Sequence, residues 1–252
     1  MEILFSSFLF LIGLILGSFL NAWIYSLREE ISIRGRRSMC PECKKDIAWY
    51  DNIPVLSFFL LRGTCRPCKN SISWQYPIVE LFMGIVFVFL GSFHQLDVLL
   101  IAKDGFIIFF LTLIFVYDLR YQQIPDIATI APATAVFIVT LLMSPLSWAS
   151  MLIGVGVGAS FFLLQFFISK GRWIGAGDIS LGAFMGVILG WPLTFFALVL
   201  AYIGGAVLSV VLIALKKTTR KSKVPFGTYL AIATCICMFW GAEIVSWYIG
   251  LM

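Results

Sequence analysis

Charged side chains are scarce in this chain. They make up 12% of its 252 residues, about half of the roughly 25% found in soluble domains, whereas hydrophobic residues make up 61%. Apolar runs of about 20 residues recur, and each is long enough to cross a hydrocarbon core of about 30 Å as a helix. The runs do not alternate with polar residues, which excludes an outer-membrane barrel. The composition therefore predicts an all-α polytopic membrane protein.

Histidine is almost absent, and this excludes two classes of hydrolase. The only histidine, His94, falls at the outer end of a predicted span, so we exclude a Ser-His-Asp triad and an HExxH metal site. Basic residues are also missing before the first apolar run. We therefore expect a retained transmembrane helix there and not a cleaved signal peptide.

Eight apolar segments predict about eight transmembrane helices. They cover residues 3–27, 76–94, 104–119, 127–143, 147–169, 178–190, 193–215 and 226–250, and 95–103 is expected to be an interfacial connection. If 28–75 is cytoplasmic, alternation of the spans places every lysine and arginine except Lys103 on that side, as the positive-inside rule requires. We therefore expect the N-terminus outside. The net charge of +5 then reflects topology, and we expect no nucleic-acid binding.

The composition divides the chain into three parts. Residues 1–27 are the first transmembrane helix, 28–75 are a cytoplasmic module with soluble character, and 76–252 are a seven-helix membrane core. A module this short is not stable on an apolar core alone. We expect a metal ion or disulfides to hold it together.

The module contains two cysteine pairs, Cys40-Pro-Glu-Cys43 and Cys65-Arg-Pro-Cys68. Two CxxC pairs at this spacing match a four-thiolate zinc site. A reducing cytoplasm disfavours disulfides, so we favour zinc over free thiols or a redox pair. Four protein ligands leave no open coordination position, and the zinc is therefore expected to be structural.

Two aspartates lie where an apolar chain should not have them. Asp118 ends the third predicted span and Asp178 begins the sixth, so both are expected at the cytoplasmic face. A carboxylate inside a bilayer costs about 2.5–3.5 kcal/mol on insertion scales and is usually kept for chemistry or pairing. Two adjacent carboxylates can share one proton and act as an acid–base pair. Considered separately, each aspartate has another explanation. Asp178 would be an ordinary acid at a helix N-terminus, and Asp118 would pair with Arg120.

Two further acids have alternative explanations as well. Asp126 is typical of the first turn of a helix, which we favour over catalysis. Glu80 lies one turn inside the second span. We expect it to be functional or paired, for example with Asn21 or with a basic group of a substrate.

Glycines surround the second aspartate. Gly175 and Gly177 precede Asp178 and would let the backbone of a substrate approach closely. Three more, Gly182, Gly186 and Gly190, recur at every fourth position. This spacing predicts close packing of one helix face against another helix.

Six short motifs follow one another along nearly the whole chain. They are GSFLNAWIYSLR (17–28), NIPVLSFFLLRGTCRPC (52–68), YPIVEL (76–81), DLRYQQIPD (118–126), GAGD (175–178) and PFG (225–227). The ordered set resembles the bacterial type IV prepilin peptidases, also called leader peptidase/N-methyltransferases, of the GxGD intramembrane aspartyl protease group. One departure is Ser180, where the family often has lysine, and it bears on substrate preference.

The resemblance implies a function and a substrate. It implies that Asp118 and Asp178 are catalytic and that a short basic leader is cleaved from prepilins or pseudopilins at the cytoplasmic face of the bacterial inner membrane. It also implies methylation of the new N-terminus by S-adenosylmethionine. The chain shows no recognisable soluble methyltransferase fold, so methylation follows from the resemblance alone. Glu80 and Asp126 would help to hold the basic leader.

Two other functions would use some of the same residues. A proton-coupled transporter would need acids spread across the membrane depth and a path at the midplane, whereas these acids gather at one face. A non-catalytic assembly protein for pili or secretion would instead dock its partners through the zinc module.

Overall fold

The computed structural model describes residues 2–31, 38–143, 147–216 and 224–250. Some of the basic residues that support the predicted topology lie outside these ranges: Arg34, Arg36, Arg37, Lys217, Arg220, Lys221 and Lys223. Within the described ranges the chain is α-helical, and its β-structure is limited to isolated bridges in the cysteine module.

The described residues form nine α-helices. They are α1 (Glu2–Glu29), α2 (Leu56–Leu60), α3 (Gln75–Phe93), α4 (Val98–Tyr121), α5 (Ile130–Met143), α6 (Trp148–Ser169), α7 (Ala176–Leu189), α8 (Leu193–Ala214) and α9 (Phe226–Ile249). Single 3-10 turns cover Trp49–Asp51 and Asp126–Ala128. Seven segments in these ranges are long and apolar enough to cross a membrane, and α7 is apolar but shorter, with 14 residues. The predicted all-α polytopic class is confirmed, and α7 corresponds to the sixth of the eight predicted spans, the one that is too short to be counted among these seven segments.

The start of α4 differs from the prediction. The helix begins at Val98 and not at 104, so the expected interfacial connection is wrong for most of its length. Asp97 caps the helix, because its Oδ1 accepts the N–H groups of Leu99 and Leu100 at 2.9 and 3.1 Å. Asp104 inside the helix pairs with His94 at 2.8 Å and with Lys103 at 3.3 Å. Pairing of this kind makes charged residues tolerable near the end of a span.

The chain forms two compact units, residues 1–109 and 110–252. In the first unit α1 packs on α3 through small residues. A Cβ atom on Gly17 would lie 2.7 Å from the Cα of Glu80, and one on Gly13 would lie 2.3 Å from the carbonyl oxygen of Met83. The two backbones therefore touch, as small residues permit in membrane helices.

In the second unit, α6 and α7 are in similar backbone contact. A Cβ atom on Gly158 would lie 2.1 Å from the carbonyl oxygen of Gly182, and one on Gly186 would lie 2.3 Å from the carbonyl carbon of Gly154. The close packing predicted from the glycines of α7 is confirmed. This contact fixes the helix whose first turn carries the GAGD motif.

Candidate active site and metal centre

The GAGD motif forms the start of α7. Gly175 is the residue before the helix, and the carboxylate of Asp178 reaches back to accept its N–H at 2.9 Å. The first turn of a helix carries N–H groups without intrahelical partners, which favour a negative charge. Asp178 therefore caps its own helix, as an ordinary first-turn acid would.

The carboxylate of Asp118 lies at the N-terminus of a helix to which the residue itself does not belong. It belongs to the last turn of α4 and is 4% exposed. Its Oδ2 accepts the N–H of Thr228 at 2.9 Å, and the N–H of Gly227 also bonds to this carboxylate. Both N–H groups belong to the first turn of α9. A buried carboxylate thus occupies the anion-binding end of a helix more than 100 positions later in the chain.

The two carboxylates lie in the same unit, and Asp118 is within range of the charge of Asp178. Each accepts hydrogen bonds at a helix N-terminus, Asp178 at α7 and Asp118 at α9. The fold therefore places these two sequence-distant acids near each other. Their catalytic role stays a prediction.

Ile124 packs against the glycines beside both carboxylates. A Cβ atom on Gly177 would lie 2.8 Å from the Cβ of Ile124, and one on Gly227 would lie 2.9 Å from its Cδ1 and 3.0 Å from Oδ2 of Asp118. Any larger residue at either position would push Ile124 away. Gly177 therefore has a packing role, and its predicted contact with a substrate stays a prediction.

Asp126 lies next to Ser180. It begins the 3-10 turn, is exposed, and accepts the hydroxyl of Ser180 at 3.5 Å. Thr129 lies 3.0 Å from the same hydroxyl. The helix-start position expected for Asp126 is confirmed. A longer side chain at position 180 would therefore reach its carboxylate.

Tyr202 lies near Asp178 and was not among the residues that the sequence analysis singled out. It lies within electrostatic range of Asp178, and its hydroxyl donates to Gln165 at 2.8 Å. Its ring centroid is 4.7 Å from that of Phe226, which in turn contacts Phe162. A tyrosine inside an apolar helix carries no signal that would separate it from ordinary packing.

Glu80 belongs to the first unit. It is 6% exposed, its Oε2 accepts the N–H of Val55 at 2.7 Å, and its carboxylate also bonds to the hydroxyl of Ser18. Asn21 instead bonds to Gln75 at 3.0 Å. The partners of Glu80 are therefore Val55, at the start of α2, and Ser18, in place of the suggested Asn21. Its role toward a substrate stays a prediction.

The four predicted metal ligands form one cluster. The Sγ atoms of Cys40, Cys43, Cys65 and Cys68 lie within 4.8 Å of one another, and all four residues are free thiols. Tetrahedral zinc with Zn–S bonds of about 2.3 Å separates its sulfurs by roughly 3.8 Å. The Sγ atoms of Cys40 and Cys68 are 3.9 Å apart. The cluster can therefore hold a metal ion of this size.

The two cysteine loops share one backbone geometry. The N–H of Cys40 and that of Cys65 each donate to the carbonyl five residues later, at 3.0 and 2.8 Å, and the carbonyl of each accepts the N–H four residues later, at 2.9 and 2.8 Å. Arg66 in the second loop donates two hydrogen bonds to Asp51, at 2.8 and 2.7 Å. These bonds lower the pKa of Asp51 and tie that loop to the 3-10 turn.

Ionisation of the thiols also favours a bound cation. Burial is the main cause that raises the pKa of Cys65 to about 12. Burial acts in the same direction at Cys40, but the N–H groups of Cys43 and Glu42 and the neighbouring thiols lower its pKa to about 7. Four thiolates do not coexist at this spacing without compensation. A divalent cation at this cluster would supply the positive charge that four thiolates need.

Comparison with known proteins assigns most of the chain to two family models. Residues 11–93 match the bacterial peptidase A24 N-terminal domain, and residues 105–210 match the type IV leader peptidase family. No solved structure gives a significant match.

Individual relatives named prepilin leader peptidase/N-methyltransferase match over three quarters or more of their length. A prepilin leader peptidase/N-methyltransferase of Aeromonas salmonicida is 30% identical over 282 residues, which cover 98% of this chain and 94% of the relative. One of Bacillus subtilis is 31% identical, with 97% of this chain and 98% of the relative covered. One of Legionella pneumophila is 32% identical, with 85% and 76% covered.

Proposed function

This chain belongs to the type IV leader peptidase family, and from that premise we propose that it is a membrane aspartyl endopeptidase. Its substrates are prepilins or pseudopilins, whose leader peptide it removes. It then transfers a methyl group to the new N-terminal amine. The methyl donor is S-adenosylmethionine, and this second activity rests on the family alone.

The carboxylates of Asp118 and Asp178 carry the cleavage. One is ionised and takes a proton from water as the water oxygen attacks the scissile carbonyl carbon. The other is protonated and polarises the carbonyl oxygen. When the C–N bond breaks, the leaving amine receives a proton, and a carboxylic acid and an amine are the products. We treat the two acids as one unit because coupled carboxylates titrate jointly.

One observation supports this assignment above the others. Asp118 lies within range of the charge of Asp178, and each carboxylate accepts a backbone hydrogen bond at a helix N-terminus. The last turn of α4 and the first turns of α7 and α9 hold these groups, so the acids lie at helix ends. A proton-coupled transporter would instead place its acids across the membrane depth.

The substrate reaches this site from the membrane. A prepilin has an apolar helix that lies in the bilayer, and its basic leader would then meet acids at the interface. Asp126 and Gly175 are exposed and are proposed substrate contacts. In this topology the N-terminus is outside, residues 28–75 form a cytoplasmic module, and residues 76–252 form the catalytic membrane core.

Zinc is the metal that we assign to the cysteine cluster. Cys40, Cys43, Cys65 and Cys68 would hold it, and four thiolates select zinc among the common divalent ions. With four protein ligands the ion has no open position. It stabilises the module and takes no part in peptide cleavage.

Product masses test the proposed function. The purified protein in lipid nanodiscs is mixed with a prepilin, with and without S-adenosylmethionine, and the products are weighed. We expect the loss of a leader in both mixtures and a further methyl-sized gain only with the methyl donor. An intact prepilin in both mixtures would contradict the peptidase assignment. Cleavage without the gain of a methyl group would contradict only the proposed methyltransferase activity.

A further inference from the structure

Helix α2 turns its apolar face outward. Leu56, Phe59 and Leu60 are 54%, 57% and 72% exposed, and their spacing places them on one side of the helix. Ser57, on another side, is 5% exposed and donates to the carbonyl of Tyr50 at 2.9 Å. A helix of a soluble module would bury the apolar side and expose the serine. This arrangement indicates that an apolar medium lies outside α2.

Two contacts fix α2 on the membrane helix α3. The ring of Trp74, the residue before α3, lies 4.8 Å from the ring of Phe58 and 6.4 Å from that of Phe59. At the other end of α2, the N–H of Val55 donates to the carboxylate of Glu80. The orientation of α2 is therefore set by a transmembrane helix.

The length of α3 gives the depth of this surface. Its 19 residues span about 28 Å, close to the roughly 30 Å of a hydrocarbon core, so both ends lie at the membrane interfaces. Trp74 precedes the first residue of α3 and is 61% exposed. Tryptophan is enriched at this level, with its ring among the headgroups. Because α2 contacts Trp74, α2 lies at the same depth.

We propose that Leu56, Phe59, Leu60 and Trp74 form a membrane-anchoring patch that inserts into the headgroup–acyl boundary of the bilayer. The partner is lipid, because Trp74, which contacts α2, directly precedes the first residue of a transmembrane helix. Arg62 follows α2 and is exposed, where it can meet lipid phosphates. The anchor holds the cysteine module in the membrane plane, since Cys65 comes three residues after Arg62. It does not depend on the proposed peptidase activity.

Site-specific fluorescence tests this anchor in the full-length protein. A dansyl amino acid replaces Leu60 in one preparation and Lys45, an exposed residue of the first cysteine loop, in another. Each is placed in nanodiscs that hold one chain, made from phosphatidylethanolamine and phosphatidylglycerol. Quenching by lipids brominated near the interface is then compared with quenching by aqueous iodide. The metal content of both preparations shows whether the module is folded.

The anchor predicts opposite results at the two positions. Bromolipids should quench the probe at Leu60 several-fold more strongly than the probe at Lys45, and iodide should show the reverse order. Equal iodide quenching at both positions would overturn the proposal, because the patch would then face water. A probe at Leu60 that neither agent quenches would also overturn it, because protein would then cover the patch.

Discussion

The N–H of Thr228 donates a 2.9 Å hydrogen bond to Oδ2 of Asp118. This bond joins the last turn of α4 to the first turn of α9 and supplies a fixed donor to a buried carboxylate. A hydrogen bond to a charged group contributes about 1.5–3 kcal/mol, and loss of a buried partner costs a similar amount. The PFG motif therefore positions two N–H groups at the carboxylate of Asp118, that of Gly227 and that of Thr228, the next residue.

Thr228→Pro removes that donor. Proline is tolerated in the first turn of a helix, so α9 should still form. We expect kcat for leader cleavage to fall by roughly tenfold to a hundredfold, as loss of one such hydrogen bond implies. Thr228→Val keeps the N–H and should lose much less. Equal rates for the two variants would mean that the N–H does not support Asp118.

Gly158→Ala tests the contact that positions α7. The new Cβ would lie 2.1 Å from the carbonyl oxygen of Gly182, so the two helices must separate. We expect a loss of about 1–3 kcal/mol in stability together with weaker leader cleavage, measured by thermal unfolding and by product mass.

Gly156→Ala is the matched control on the same helix, because a Cβ there meets nothing within 4 Å. Alanine favours a helix over glycine by up to about 1 kcal/mol, so this variant should be as stable as the parent or more stable. A Gly158→Ala protein that matches it in stability and cleavage would show that α6 and α7 do not need this close approach.

Metal binding should depend on one set of cysteines. Cys43→Ser removes a ligand and should lower the zinc content and make residues 38–74 sensitive to protease, since a small module loses its main support with the metal. Cys235→Ser changes a thiol in α9, outside the cluster. It should keep the parent's zinc content, measured by atomic emission. Full zinc occupancy in Cys43→Ser would remove that residue from the ligand set.

Ser180→Lys restores the residue that the family often has. The introduced ammonium group should pair with Asp126, whose Oδ1 lies 3.5 Å from the Ser180 hydroxyl. If Asp126 helps to hold a basic leader, this pair should raise KM for a prepilin several-fold with little change in kcat. Ser180→Met, of similar length but uncharged, should raise KM less. In an Asp126→Asn background the lysine should have no further effect, and the same increase there would exclude Asp126 as its target.

Most of the fold could be predicted from hydropathy, because each transmembrane helix is encoded by one continuous apolar segment of the sequence. The start of α4 was missed because Asp97 caps it and because Asp104 is paired with His94 and Lys103. Hydropathy averaged over a window falls at such charges, and the span is therefore predicted to end there. The cysteine cluster was predictable because CxxC spacing is a local signature of thiolate geometry.

The site was predictable only in part, for a physical reason. The charge distribution placed Asp118 and Asp178 on one predicted face, but their proximity depends on how separate helices pack. Thr228 contributes a backbone N–H, and Ile124 contributes an apolar side chain between two glycines. Neither has a signature in a sequence. The same holds for Val55, which bonds to Glu80 through its backbone.

Cleavage of a prepilin by Asp118→Asn and Asp178→Asn proteins tests the central claim most directly. Asparagine preserves the size of each side chain but cannot exchange the proton that the reaction requires. Asp97→Asn, at the N-terminus of α4, is the matched control because asparagine caps a helix as well as aspartate does. We predict that both dyad variants insert into membranes at parental levels and release no leader, while the control cleaves normally. Full release of the leader by either dyad variant would contradict the account.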